Sequence, residues 1–222
     1  MTQTSIEQQP INARERIVET ALQLFYRNGL RATGIDKIIA ESGVAKMSFY
    51  RHFPSKGDLI SEFLRRRHDN WMAWFTAAVS KKLKKPGRGL EVIADVLGEW
   101  FDEPGFRGCA FINTISETPD YEAEQNQIVR EHKAQLECFI KQTSVQLGLS
   151  APDQIAATAM IIIEGTIVRA QMTRNPDVIS HCKWLLQMTA HAENPSMRGA
   201  TSRSRRRSRC KKSLMVSEAP AR

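Results

Sequence analysis

Long apolar runs, paired cysteines and alternating strand patterns are all missing from these 222 residues. No stretch of about 18 apolar residues occurs, so no membrane-spanning segment is expected. The opening MTQTSIEQQPINARER also lacks the apolar core of a secretory signal. A soluble cytoplasmic protein with no membrane partner is the expectation. Cys109, Cys138, Cys182 and Cys210 form no Cys-x-x-Cys pair, which argues against a zinc ribbon or disulfide scaffold and for reduced core or tail thiols. The histidines His52, His68, His132, His181 and His191 show no His-Glu-x-x-His spacing. Neither a Gly-x-Ser-x-Gly elbow nor a phosphate-binding glycine loop is present. No metal, cofactor or catalytic residue is therefore expected, and a small-molecule enzyme is the less favoured alternative.

What is present is an uneven charge. Nine Lys/Arg against Glu218 give residues 196–222 a charge of +8, equal to that of the whole chain. Residues 1–67 sum to +4 and residues 68–195 to −4. A basic head, an acidic body and a basic tail follow. The tail, Ser/Arg-rich and poor in apolar residues, reads as disordered. It would add sequence-independent affinity for nucleic acid or be a dispensable extension.

The rest of the pattern is helical. In ARERIVETALQLFYRN (13–28), Ile17, Val18, Ala21, Leu24 and Phe25 recur at helical spacing, and Gly29 supplies a left-handed stop. Thr33-Gly-Ile-Asp36 has the form of a capping box opening a short helix that ends at Gly43. Ser55-Lys-Gly-Asp58 has the same form before a long helix running to about Lys85. Helical segments are then predicted over 89–102, 109–118, 121–147, 152–174 and 177–192. The expected fold class is all-α, with an N-terminal helix-turn-helix domain of three helices followed by a larger C-terminal helical bundle. The domain bounds are 1–12 flexible N-terminus, 13–55 DNA-binding, 56–195 ligand-binding and dimerisation, and 196–222 tail.

Between the two capping signals lies GVAKMSFYRHFPSK (43–56), which mixes aromatic and basic side chains. Helical geometry directs Phe49 and Phe53 inward with Val44, leaving Lys46, Met47, Ser48, Tyr50, Arg51 and His52 outside. Two short helices across a glycine turn, supported by a longer one, make a helix-turn-helix. Lys46 and Arg51 suit phosphate or guanine, Ser48 and Tyr50 can bond phosphate or a base edge, and Met47 can touch a thymine methyl. Lys56, at a helix start, suits a phosphate. A helical hairpin with a solvated basic face would carry the same spacing.

From Arg14 to about Leu64 the order G-L-R-A-T, I-x-x-I-I-A-E-S-G-V-A-K-x-S-F-Y-R-H-F-P-S-K-x-D-L-I closely resembles the N-terminal domain of TetR-family transcriptional regulators. The resemblance implies that Thr33, Tyr50 and Lys56 contact phosphates, while Lys46, Met47, Ser48, Arg51 and His52 face the groove. Met47 departs from the family, which commonly has glycine or a small residue there. Arg107-Gly-Cys-Ala-Phe-Ile-Asn113, Glu117, Pro119-Asp120 and Ile163-Glu-Gly-Thr-Ile-Val168 are similar to one TetR subgroup. They imply a C-terminal domain that dimerises and receives an inducer. Such regulators typically bind palindromic double-stranded DNA operators as homodimers, usually as repressors released by a small molecule. A nonspecific nucleic-acid-binding helical protein is the main alternative.

Two features of the body bear on this. Ala156 to Met172 is apolar over more than one face, as a helix in a four-helix dimer interface with Trp184, Leu185 and Met188 would be, or one inside the bundle. Trp71, Trp74, Phe75, Trp100, Phe101, Phe111, Asn113, Met160 and Glu164 are candidates to line an apolar ligand cavity, or are ordinary core. Glu164, set among Ile161, Ile162, Ile163, Ile167 and Val168, is expected to pair with Arg169 or a cationic ligand, or else to face solvent.

Overall fold

The computed structural model describes residues 12–118, 120 and 123–191. The tail (196–222) and the flexible N-terminus lie outside them, except for Asn12. Among the described residues there are nine helices and no strand: α1 Ala13–Asn28, α2 Ile35–Ser42, α3 Lys46–His52, α4 Lys56–Leu83, α5 Val92–Phe101, α6 Ala110–Glu117, α7 Glu124–Gln146, α8 Pro152–Thr173 and α9 Asp177–His191.

The Asn12 side chain accepts from the Glu15 amide at 2.9 Å to start α1. Ile17, Val18, Ala21, Leu24 and Phe25 are its buried stripe, as their spacing requires. Gly29 ends it with φ +89°, donating its N–H to the Phe25 carbonyl. The capping box expected at Thr33 does not form. Gly34 is the N-cap of α2, and Thr33 Oγ donates instead to the carbonyls of Gly29 (2.8 Å) and Leu24 (3.3 Å). The hydroxyl thereby ties the turn back to the end of α1 rather than capping α2.

The turn at Gly43 is left-handed (φ +63°) and swings the chain into α3. Seven residues cannot sustain a helix alone. Phe49 is fully buried, and Phe53 and Val44 nearly so, which fixes the rotation of α3 about its axis. The second capping box does form: the Asp58 amide donates to Ser55 Oγ at 3.1 Å and the Ser55 amide to Asp58 Oδ2 at 2.9 Å.

α4 is about 40 Å long by its 28 residues and belongs to both halves. Near its start, Phe63 meets Phe25 of α1 edge-on at 5.5 Å, and Arg66 grips the Glu15 carboxylate at 2.6 and 3.1 Å. Further along it packs on α5, α6 and α7. In the body α8 packs against both α7 and α9. α8 is the one described helix long and apolar enough by composition to cross a membrane. Its Ile155, Ala159, Ile163 and Ile167 are buried in the bundle. Asp95 of α5 pairs with Arg88 and, at 3.0 Å, with Lys183 of α9. Cys109 and Cys182 are free and buried.

Ser55→Ala removes the acceptor of the α4 capping box. It should lower the unfolding free energy by about 1 kcal/mol in urea titrations followed by circular dichroism. An unchanged midpoint would show that the box adds nothing to the fold.

Candidate DNA-binding surface and body cavity

The burial of Phe49 decides which side chains α3 presents outward. Lys46, Met47, Tyr50, Arg51 and His52 are exposed, and Ser48 and Lys56 are half-buried. Met47 is the extreme case, with 78% of its surface accessible. The Tyr50 ring is held edge-on to Phe49 at 5.3 Å, leaving it 40% exposed. Lys46 lies 3.6 Å from Asp36 of α2, a solvent-exposed pair worth little to stability and easily exchanged for another anion. At the start of α4 the amides of Ser55 and Asp58 are already engaged by the capping box, so Lys56 supplies the cation beside a partly committed helix end.

Thr33, expected at a phosphate, lies inside the head. It is fully buried and its hydroxyl is spent on the end of α1, so its side chain is not available to a phosphate.

A second set of contacts joins the end of α1 to the segment leading into α6. Tyr26 Oη donates to the Gly108 carbonyl (3.0 Å) and accepts from the Arg107 amide (3.1 Å). Burial pushes the Tyr26 phenol pKa up, partly opposed by that amide and by the Arg67 charge. The Arg67 guanidinium lies over the Tyr26 ring, 4.1 Å from its centre. The Arg31 amide donates to Glu117 at 2.7 Å. Asn113, expected in the ligand cavity, belongs to this joint. It donates to the Arg107 carbonyl at 3.1 Å and lines a groove of about 260 Å³ between α1 and α6.

The aromatic cavity lies further into the body. Trp71, Trp100 and Phe111 are brought together there, around His132 of α7. Phe111 stacks on the His132 ring at 3.6 Å, and Trp71 meets Trp100 edge-on at 5.7 Å. Only about 10 Å³ stays open between them, room for one water at most. Phe75 is fully buried behind Trp71, stacked on it at 4.6 Å, and Trp74 flanks the same ring at 6.2 Å. Met160 is buried in α8 and is not among the cavity's lining. Glu164 pairs with Lys133 of α7 at 3.1 Å rather than with Arg169, and its side chain is 39% exposed, so its charge is both partnered and hydrated. It lies one ion pair away from the cavity, which Lys133 lines.

Arg67, Cys109, His132 and Lys133 are the polar lining that the sequence did not single out. His132 could have been found, because Val129, His132, Leu136 and Ile140 share the buried stripe of α7. His132 Nδ1 lies 2.9 Å from His68 Nδ1, and His68 Nε2 lies 3.1 Å from Gln135 Oε1. With the Gln135 oxygen accepting, His68 donates from Nε2 and accepts at Nδ1, so His132 donates from Nδ1 and its Nε2 is left as an acceptor. Burial, reinforced by the charges of Lys133, His68 and Arg67, lowers the His132 pKa to about 2.

A two-faced recognition helix, set by a glycine turn on a three-helix head and carried by a helical body, defines a helix-turn-helix DNA-binding transcriptional regulator. Residues 17–63 match the family model described as bacterial regulatory proteins, tetR family. The chain is 26% identical over 180 residues to the HTH-type transcriptional regulator AcrR of Shigella flexneri, covering 78% of this chain and 75% of that protein. It is 45% identical over 47 residues to the uncharacterized HTH-type regulator YerO of Bacillus subtilis, a match spanning 16% of that protein. Among solved structures, SCO4454, a TetR-family transcriptional regulator from Streptomyces coelicolor, superimposes with a TM-score of 0.71 at 26% identity, over 80% of this chain and 94% of that one. Residues 17–63 thus match the TetR family, and the chain as a whole is similar in sequence and fold to TetR-family transcriptional regulators.

His132 stays neutral in the folded protein down to about pH 2, whereas in the unfolded chain it takes up a proton near pH 6.5. Between those values the unfolded state binds more protons, so this residue makes stability fall as pH falls. From pH 7 to pH 5 the loss should be about 2 kcal/mol by urea unfolding. His132→Gln should remove that part of the dependence, and an equal slope in the variant would contradict the assignment.

Proposed function

We propose that the chain is a cytoplasmic repressor that binds a palindromic operator as a homodimer and is released by a small-molecule inducer. The observation that carries the proposal is the division of α3 between a fully buried Phe49 and a Met47 that is 78% exposed. A helix anchored so firmly on one side, with Lys46, Arg51 and His52 on the other, suits insertion into a major groove. Lys46, Met47, Ser48, Arg51 and His52 are assigned to the groove, and Tyr50 and Lys56 to phosphates. Residues 13–55 form the reading domain and 56–195 the ligand-binding and dimerising one, with Ser55 at the boundary. The relatives are transcriptional regulators, which supports regulation rather than enzymatic turnover.

Dimerisation is supported by an apolar stripe. Ile161 and Met172 of α8 and Trp184, Leu185 and Met188 of α9 are all exposed, from 40% to 77%. On α8, residue 165 between them is glycine, with open space where its Cβ would lie, which lets a facing helix approach. Two such faces meeting about a two-fold axis would form a four-helix interface and set two α3 helices about one DNA turn apart. A dimer seated on an operator blocks access to it, which is repression.

Arg51→Ala should weaken binding to a selected operator by about 1–3 kcal/mol and relax preference at one base pair, measured by fluorescence anisotropy. Unchanged affinity on combining it with Lys46→Ala would remove α3 from the interface. Separately, Ile161→Glu with Trp184→Glu should yield monomers in sedimentation equilibrium while preserving helix content. A dimer that persists would place the interface elsewhere.

A further inference from the structure

The aromatic cavity is lined by the cations Arg67 and Lys133, the indoles of Trp71 and Trp100 and the neutral His132, with no carboxylate among its lining residues. Trp71 is 8% exposed and its Nε1 is buried with no hydrogen-bond partner among the described residues. An indole N–H can only donate, so this group calls for an acceptor. Arg67, half-buried on the same wall, has no carboxylate within ion-pair distance among the described residues, and the partner it has is the face of Tyr26. Lys133 is shared between Glu164 at 3.1 Å and the Cys109 thiol at 3.7 Å. The remaining walls are flat rings, including the Phe111 and His132 pair stacked at 3.6 Å.

We propose that this cavity takes a planar aromatic anion, an aryl carboxylate or phenolate, whose oxygen accepts from Trp71 Nε1 and pairs with Arg67 while its ring lies among Trp71, Trp100 and Phe111. The proposal deepens the ligand-responsive reading above and rests on it. Charge decides the class: Lys133 is already paired with Glu164, but Arg67, with no carboxylate partner among the described residues, and the unsatisfied Trp71 donor disfavour a cationic ligand and favour an anion. With about 10 Å³ open, the ligand-free cavity is closed, and a ring enters only by displacing those that fill it. The adjoining groove of about 370 Å³ shares His132 with the cavity and is itself lined by Asp69, Glu124 and Glu131, so the two differ in charge. An anion that draws Arg67 toward the cavity takes the cation off the Tyr26 ring, and Tyr26 joins α1 to the start of α6. Occupancy is thereby connected to the reading head through one side chain.

The test is isothermal titration calorimetry of the full chain with 2-naphthoate, its neutral amide 2-naphthamide, and the cationic 2-naphthylmethylammonium. The carboxylate should bind about tenfold or more tighter than the amide, and the ammonium weakest of the three. Arg67→Gln should bring carboxylate and amide to within about twofold of one another, and Trp71→Phe should weaken the carboxylate about tenfold, with far-UV circular dichroism unchanged in both. Equal affinities in the native chain, a tightest-binding ammonium, or no binding of any probe would overturn the proposal. In the last case the cavity holds only a water. Operator affinity is read separately. Carboxylate binding that leaves it unchanged upholds the ligand class and sinks the inducer reading, whereas operator release by another molecule without carboxylate binding does the reverse.

Discussion

Burial of Phe49 is the constraint on which the reading head depends. A seven-residue helix has almost no stability of its own, and α3 exists because Phe49, with Phe53 and Val44, is packed against its supports. That one ring also sets the azimuth of the helix. Rotating α3 enough to expose Phe49 would bury Lys46 or Arg51, whose charges have no partner inside the head. The basic face is therefore a consequence of the apolar one. The Gly43 turn completes the arrangement, since its φ of +63° is one that side chains rarely adopt.

The same economy holds in the body. α4 passes from the head into the bundle without a break, so Arg66 clamps Glu15 of α1 and Arg67, the next residue, reaches both the Tyr26 ring and the aromatic cavity. Tyr26 in turn holds the Arg107–Gly108 backbone just before α6. Glycine is favoured at 108 because its φ is +78°, a conformation that side chains rarely adopt. Head and cavity are thus tied by a short chain of rigid parts.

Much of the fold was legible because helical periodicity is a local property. Every helix from α1 to α9 was foreseen within a few residues, and the Ser55–Asp58 box formed as its spacing required. The failures share a physical cause, competition from a partner outside the helix whose pattern was being read. Thr33 had the form of a cap, but the Gly29 and Leu24 carbonyls take its hydroxyl. Asn113 looked like a cavity residue, yet the Arg107 carbonyl claims its amide. Glu164, for which Arg169, a cationic ligand and solvent were all open, is paired with Lys133 on α7 and stays 39% exposed. His132 was read only as a failed metal ligand, because a neutral imidazole on an apolar stripe carries no spacing signature, although the stripe itself was visible. Cavities are assembled from several helices, and sequence periodicity reports on one helix at a time.

The central claim is that α3 enters the major groove as one of a symmetric pair. Hydroxyl-radical footprinting combined with guanine methylation interference, on an operator selected from genomic fragments, tests it most directly. Two protected blocks about one helical turn apart on the same face of the duplex, each with guanine N7 interference at its centre, are the predicted result. A single block, or protection that is uniform along the duplex and indifferent to sequence, would contradict it.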